Sequence, residues 1–195
     1  GWLLSQLQTA DAPRIDPPPS TQAGLAALRE DRATKPPPGQ SRARALFVAQ
    51  AAGELEHALT TETPFRERLV WFWTNHFTIS LSRGECDGVA CAFIEEAIRP
   101  HVTGSFSDMV LAVMRHPAML MYLDNARSVG PNSYAGQRRN LGLNENLARE
   151  CLELHTVSPA AGYTQADVTS LARILTGWSI EVQRDDKGFV YRPGA

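Results

Sequence analysis

Two polar groups in this 195-residue chain sit where packing would prefer carbon. The first lies in Leu143–His155. At about 100° per residue, Leu143, Leu147, Cys151 and Leu154 share one helix face, and Asn146, Glu150 and Glu153 line its border. Carboxylates at a core edge must be paired, metal-bound or hydrated, because burying them bare costs several kcal/mol. A Glu-x-x-Glu pair offers two oxygens to a metal, as in carboxylate sites of helical bundles. Those sites also draw on Glu-x-x-His pairs, which this segment lacks. The competing reading is a salt bridge from the glutamates to an arginine of a neighbouring helix. His155 falls about 140° round from Glu150 on a regular helix and cannot join Glu150 and Glu153 on one ion. Glu145 and Arg149, four apart, read as a solvent-facing ion pair.

The second group is His76. Thr63-Pro64 is a helix start, an N-cap followed by proline at the first helical position. On the helix it opens, Phe65, Leu69, Phe72, Trp73 and Phe77 form a wide apolar arc, with His76 projecting from it. One reading is a core histidine bonded to a backbone carbonyl. The other is a contact of His76 with Glu150 or Glu153, as an acid/base couple or part of a metal shell. His76, Glu150 and Glu153 are therefore the candidate catalytic residues and the candidate ligands of a divalent metal ion. Asn125, Asn132 and Asn146 are candidate ligand-binding residues, although Asp124, Asn125 and Asn132 beside Gly130-Pro131 also read as turn-makers. His116, before Pro117, reads as a cation at a helix end, and His57 and His101 as surface residues. The chain has no Gly-rich phosphate loop, His-Glu-x-x-His, Cys-x-x-Cys or Gly-x-Ser-x-Gly motif.

The elements that must hold these residues are helical. Thr21–Arg32 and Ser41–Leu59 keep a helical period, and Asp87–Ile98 is a helix stopped by Pro100. Ser105 to Asp108 and Thr164 to Asp167 resemble capping boxes, opening helices at Met109–His116 and at Val168. Val168, Leu171, Ala172, Leu175 and Trp178 continue the second, and Gly177 stops it. Strand-like sequence is confined to Phe189-Val190-Tyr191. The expected class is all-α, an irregular multi-helix bundle. Residues 1–40, with Pro17-Pro18-Pro19 and Pro36-Pro37-Pro38, form a Pro-rich arm that wraps the body or a flexible linker. Residues 41–195 form the helical domain. Asp124–Gly142 shows no periodicity, and loops of that length inside compact domains are usually functional or disordered.

A net charge of −2 gives no global attraction to nucleic acid or anionic lipid, so nucleic acid is not an expected partner. Arg138-Arg139 is the most obvious local basic pair. No apolar run approaches the roughly 18 residues of a membrane span. Cys86, Cys91 and Cys151 are too few for a disulfide framework. The chain opens on Gly1 without Met and is expected to be a fragment.

Several stretches together resemble a known family. They are Trp73-Thr74-Asn75-His76-Phe77, His116-Pro117-Ala118-Met119-Leu120, Tyr122-Leu123-Asp124-Asn125 and Gly130-Pro131-Asn132. They continue through Gly142-Leu143-Asn144-Glu145-Asn146, Leu152-Glu153-Leu154-His155-Thr156, Gly162-Tyr163-Thr164 and Leu175-Thr176-Gly177-Trp178. Over roughly residues 65–180 the chain is similar to the bacterial family catalogued as "domain of unknown function 1800". The resemblance implies a longer domain, of which this chain lacks a C-terminal helical portion, and an exported or cell-envelope location. It implies no activity.

Two functions follow as expectations. One is a helical protein whose His76, Asn146, Glu150 and Glu153 enclose a site for a metal ion or small polar ligand, with catalysis open. The other is a non-enzymatic envelope scaffold or protein-partner module using the Pro-rich arm and the 124–142 stretch.

Overall fold

The computed structural model describes residues 1–8, 17–82, 84–139, 142–183 and 188–194, with the backbone alone at Arg139. Among these residues the chain is helical apart from one two-stranded sheet, as the all-α expectation required. It divides into two compact units, Gly1–Val113 and Met114–Ala195. The segment 1–40 belongs to the first of them.

In the first unit, α1 (Trp2–Gln8) packs on α4 (Pro64–His76), and α2 (Thr21–Thr34) packs on α3 (Arg42–Thr60). Gln6 Oε1 accepts from the Phe65 N–H at 2.8 Å, which satisfies an otherwise unpaired donor in the first turn of α4. Ser41 caps α3 by accepting from the Arg44 N–H. Asp31 of α2 reaches the same helix end, accepting from the N–H groups of Arg42 at 2.8 Å and Ala43 at 3.0 Å. Gly24 of α2 lies against Gly88 in a 3-10 turn at Asp87–Val89 so closely that a Cβ on Gly24 would stand 1.9 Å from the Gly88 carbonyl oxygen. Only backbone fits at that crossing.

The expected helix Asp87–Ile98 is there, but it changes pitch. After the 3-10 turn, α5 (Ala90–Phe93) widens into a π-helical turn, Ile94–Ile98, and tightens again at Arg99–His101. Pro100 sits in that last turn rather than ending the element before it. α6 (Phe106–Arg115) follows.

The second unit opens with α7 (Pro117–Tyr122), capped by His116, whose Nδ1 accepts from the Ala118 N–H at 3.1 Å. The expectation of a cation at a helix end is corrected here. An acceptor nitrogen at the N-terminal end of a helix faces the positive pole of its dipole. The stretch 124–142 is less irregular than its sequence suggests. It holds a 3-10 turn at Asn125–Arg127 and α8 (Tyr134–Arg139), while residues 140–141 and the Arg139 side chain of the Arg138-Arg139 pair lie outside the described residues.

α9 (Asn146–Glu150) also widens into a π-helical turn, Cys151–His155. α10 (Gln165–Leu175) packs on α9 and carries the expected capping box, with Thr164 and Asp167 exchanging backbone bonds. Trp178, expected on this helix, is instead the first residue of β1 (Trp178–Ile180). Gly177, at φ +95°, turns the chain out of the helix. β1 pairs antiparallel with β2 (Phe189–Tyr191), Ser179 opposite Val190. The strand expected at 189–191 thus recruits its partner from the end of a predicted helix.

Candidate functional site

The buried face of α4 is charged. Of its apolar arc Phe77 is buried but Phe72 is 59% exposed, as is the neighbouring Trp71 at 52%, while Arg66 and Glu67 are buried beside Val70. Glu67 is held by Arg99, which lays Nη1 and Nη2 on the two carboxylate oxygens at 2.6 and 2.9 Å. Arg99 Nε donates to Glu95 Oε1 at 3.0 Å, and Nη2 stands 3.7 Å from Glu54 Oε2 of α3. His57 Nε2 lies 3.3 Å from Glu67 Oε1, outside hydrogen-bond geometry. It belongs to this cluster rather than to the open surface expected for it. The π-helical turn places neighbouring carboxylates on different partners. Glu95 serves Arg99, while Glu96 accepts from the Thr21 N–H and hydroxyl at 2.8 and 2.6 Å, pinning the start of α2.

A groove of about 320 Å³ opens beside this cluster, wholly within the first unit. α3 contributes Phe47, Ala51, Glu54 and Leu55 to its wall. α4 adds Trp71, Thr74 and Asn75, and the α5 segment adds Cys91 and Ile94. The wall is carbon for the most part. Of its polar groups, the Thr74 hydroxyl donates to the Val70 carbonyl at 2.8 Å. Cys91 keeps its proton, because burial, then the negative charges of Glu54 and Glu95, push its thiol up to about 12. It is a neutral wall group and not a thiolate nucleophile at neutral pH. Arg44 covers one side of the Phe47 ring at 5.1 Å and reaches Asp87 at 3.5 Å. Burial raises the Asp87 pKa, and Arg44 partly offsets that.

Of the residues singled out in the sequence, His76 lies in this first unit, partly exposed, in an aromatic cluster. Its ring meets Phe77 edge-on at 4.6 Å and Trp73 at 5.5 Å. Asn125, Asn132, Asn146, Glu150 and Glu153 lie in the second unit. Asn125 is buried, and its Nδ2 donates to the carbonyls of Leu175 and Trp178, both at 3.1 Å, tying the 124–127 turn to the α10–β1 junction. Asn132 and Asn146 are exposed. The Asn146 N–H donates to Asn144 Oδ1 at 2.9 Å, a local cap of α9. Glu150 and Glu153 are partly exposed, neither in the core nor in open water. Among the described residues no three His, Cys, Asp or Glu side chains are grouped so as to hold a metal ion.

The π-helical turn redraws the face on which those glutamates were placed. A wider turn takes one more residue, so His155 rather than Leu154 continues the buried line of Leu147. Leu154 is 60% exposed and His155 is buried. Thr156 Oγ1 and the Ser158 N–H take up the carbonyls of Cys151 and Leu152, at 2.6 and 2.9 Å. Ser158 itself sits at φ 65°, ψ 161°, a region that normally requires glycine. Glu145 and Arg149 do pair, at 3.1 Å. Bonds from Thr169 and Gln165 of α10 to the same carboxylate hold the Glu145 pKa below its usual value.

Sequence reasoning missed the groove and the cluster of Glu54, His57, Glu67, Glu95 and Arg99. The available signals were Glu67 three residues before Val70 on one helix face, and Glu95 four before Arg99. No curated protein and no solved structure matches this chain. A family model described as "Protein of unknown function (DUF1800)" matches residues 1–195, extending the likeness over both units and the Pro-rich segment. The chain belongs to that family.

Proposed function

We propose that the first unit binds a small molecule in the groove between α3, α4 and the α5 segment. The observation that carries this reading is the groove's make-up, an apolar wall of about 320 Å³ interrupted by the carboxylate of Glu54. Small-ligand sites combine a concave apolar lining with a few fixed polar groups, at volumes upward of about 300 Å³. The buried Arg99–Glu67 pair beside the groove fixes α4 against the π-helical turn, so the wall is built on ordered elements rather than loops. A fragment screen read by protein-observed NMR tests it. Binders should shift the resonances of Leu55, Trp71 and Ile94, and Ala51→Trp, which plugs the groove, should abolish those shifts while leaving the fold intact. Binders that shift none of these resonances would refute the reading.

A second reading retains the polar border of α9 within the second unit, with Glu150 and Glu153 receiving a small polar ligand or divalent ion. The π-helical turn beside Glu153 and the Gly-type backbone of Ser158 favour it, since both features recur at functional sites. Metal analysis of the purified chain tests the ionic form. Stoichiometric metal lost in Glu150→Gln would support it, and metal-free protein whose melting is indifferent to divalent ions would end it.

A further inference from the structure

The inference concerns the charge of the groove's ligand and rests on the groove reading above. We propose that the ligand is a small organic cation, an ammonium or amidinium group facing Glu54, with an apolar body against Trp71 and Leu55. Three observations point this way.

First, among the described residues of the groove wall the one carboxylic acid is Glu54, and it shares a single arginine, Arg99, with Glu67 and Glu95. Cys91, in the same wall, feels the charges of both Glu54 and Glu95. An anionic ligand would meet that field head-on. A neutral apolar ligand would cover the carboxylate and cost solvation, while a cation offsets the loss. Arg99 approaches Glu54 only at 3.7 Å and makes its short bonds to Glu67 and Glu95. A carboxylate has about four lone-pair sites and can accept from more than one cation.

Second, Trp71 lines the same groove and is half exposed, so its indole is accessible to a ligand. Indole is the best aromatic partner for a cation, worth about 0.5–1 kcal/mol at exposed sites and more when water is excluded. Carboxylate plus indole is the usual composition of sites for organic ammonium ions.

Third, the rest of the wall argues against an inorganic ion. Ca²⁺ requires about six to eight oxygen ligands, whereas Phe47, Ala51, Leu55 and Ile94 present carbon.

The test compares isosteric probes on the whole chain: benzylamine, benzyl alcohol and benzoate, titrated by protein-observed NMR with affinities from the groove resonances. Benzylamine is expected to bind about tenfold tighter than benzyl alcohol, with benzoate weakest, and its affinity should fall as salt is added. Glu54→Gln should remove the benzylamine advantage and leave benzyl alcohol unchanged. Trp71→Leu, at a half-exposed position, should weaken benzylamine about fivefold. If Glu54→Gln does not fold, the probe comparison and Trp71→Leu decide by themselves. Benzyl alcohol binding as tightly as benzylamine in the groove would overturn the cation while leaving the groove reading in place. Absence of binding by every probe and by every fragment would bring both down.

Discussion

Arg99 and Glu67 meet end-on, two nitrogens to two oxygens at 2.6 and 2.9 Å, with both side chains almost wholly out of water. Removing one member leaves the other charge buried, which costs about 3–5 kcal/mol, whereas replacing both with apolar groups is often neutral. Arg99→Met is therefore expected to lower unfolding free energy by about 4 kcal/mol in urea titrations. The double variant Glu67→Leu/Arg99→Met should recover only part of that loss, because Glu95 and Glu54 still lose their cation. A double variant that loses the sum of the losses of Glu67→Leu and Arg99→Met would show that the two side chains are not coupled.

Cys91 supplies a pH prediction. Its folded pKa, about 12, lies above the ordinary thiol value of 9.0. The folded state therefore holds the proton more tightly, so the stabilising contribution is complete below about pH 9 and is lost as pH rises toward 12. Wild type should lose more stability between about pH 8 and pH 10.5 than Cys91→Ala does, measured by urea melts. Native protein should also resist iodoacetamide at Cys91 at about pH 8. Rapid alkylation there without unfolding would contradict the buried, neutral thiol.

Asp31 caps a helix it does not belong to. Its pKa is lowered chiefly by the Ala43 backbone N–H, with further help from Arg42 and Ser41. A depressed carboxylate pKa stabilises above its unfolded value, near 3.8, and that contribution disappears as pH falls through the folded value. Asp31→Ala should cost about 1 kcal/mol at neutral pH, and the difference from wild type should vanish in the acid limb. A pH-independent difference would mean that packing, not charge, is at stake.

Asn125 has a structural assignment that can be set against its candidacy as a ligand contact. Its amide satisfies two backbone carbonyls, Leu175 and Trp178, in a buried position. Asn125→Leu strands both acceptors and should destabilise the second unit by about 2–3 kcal/mol. Hydrogen exchange should rise at α10 and β1. A variant of native stability would free this side chain for ligand binding.

The helices were plain in the sequence because capping and periodicity are local. Thr164 and Asp167 announce α10, Thr63-Pro64 announces α4, and the Glu145–Arg149 spacing yields the observed pair. Where the reading failed, the cause was a change of pitch or a partner far along the chain. At 100° per residue, Leu154 belongs inside and His155 beyond reach of the glutamates. The wide turn at 151–155 reverses their burial, and no residue in Cys151–His155 is of a type that signals it. Trp178 fits a helix by spacing but becomes a strand because Phe189–Tyr191 pairs with it.

By itself the sequence determined an all-α chain with known helix starts, its family, and the presence of polar groups at helix faces, since propensity, capping and side-chain order act over a few residues. Tertiary structure decided which of those groups are buried together. Glu67 and Arg99 are 32 positions apart and Glu54 and Arg99 are 45 apart. Their meeting depends on how α3, α4 and the π-helical turn pack, and neither composition nor period encodes that distance.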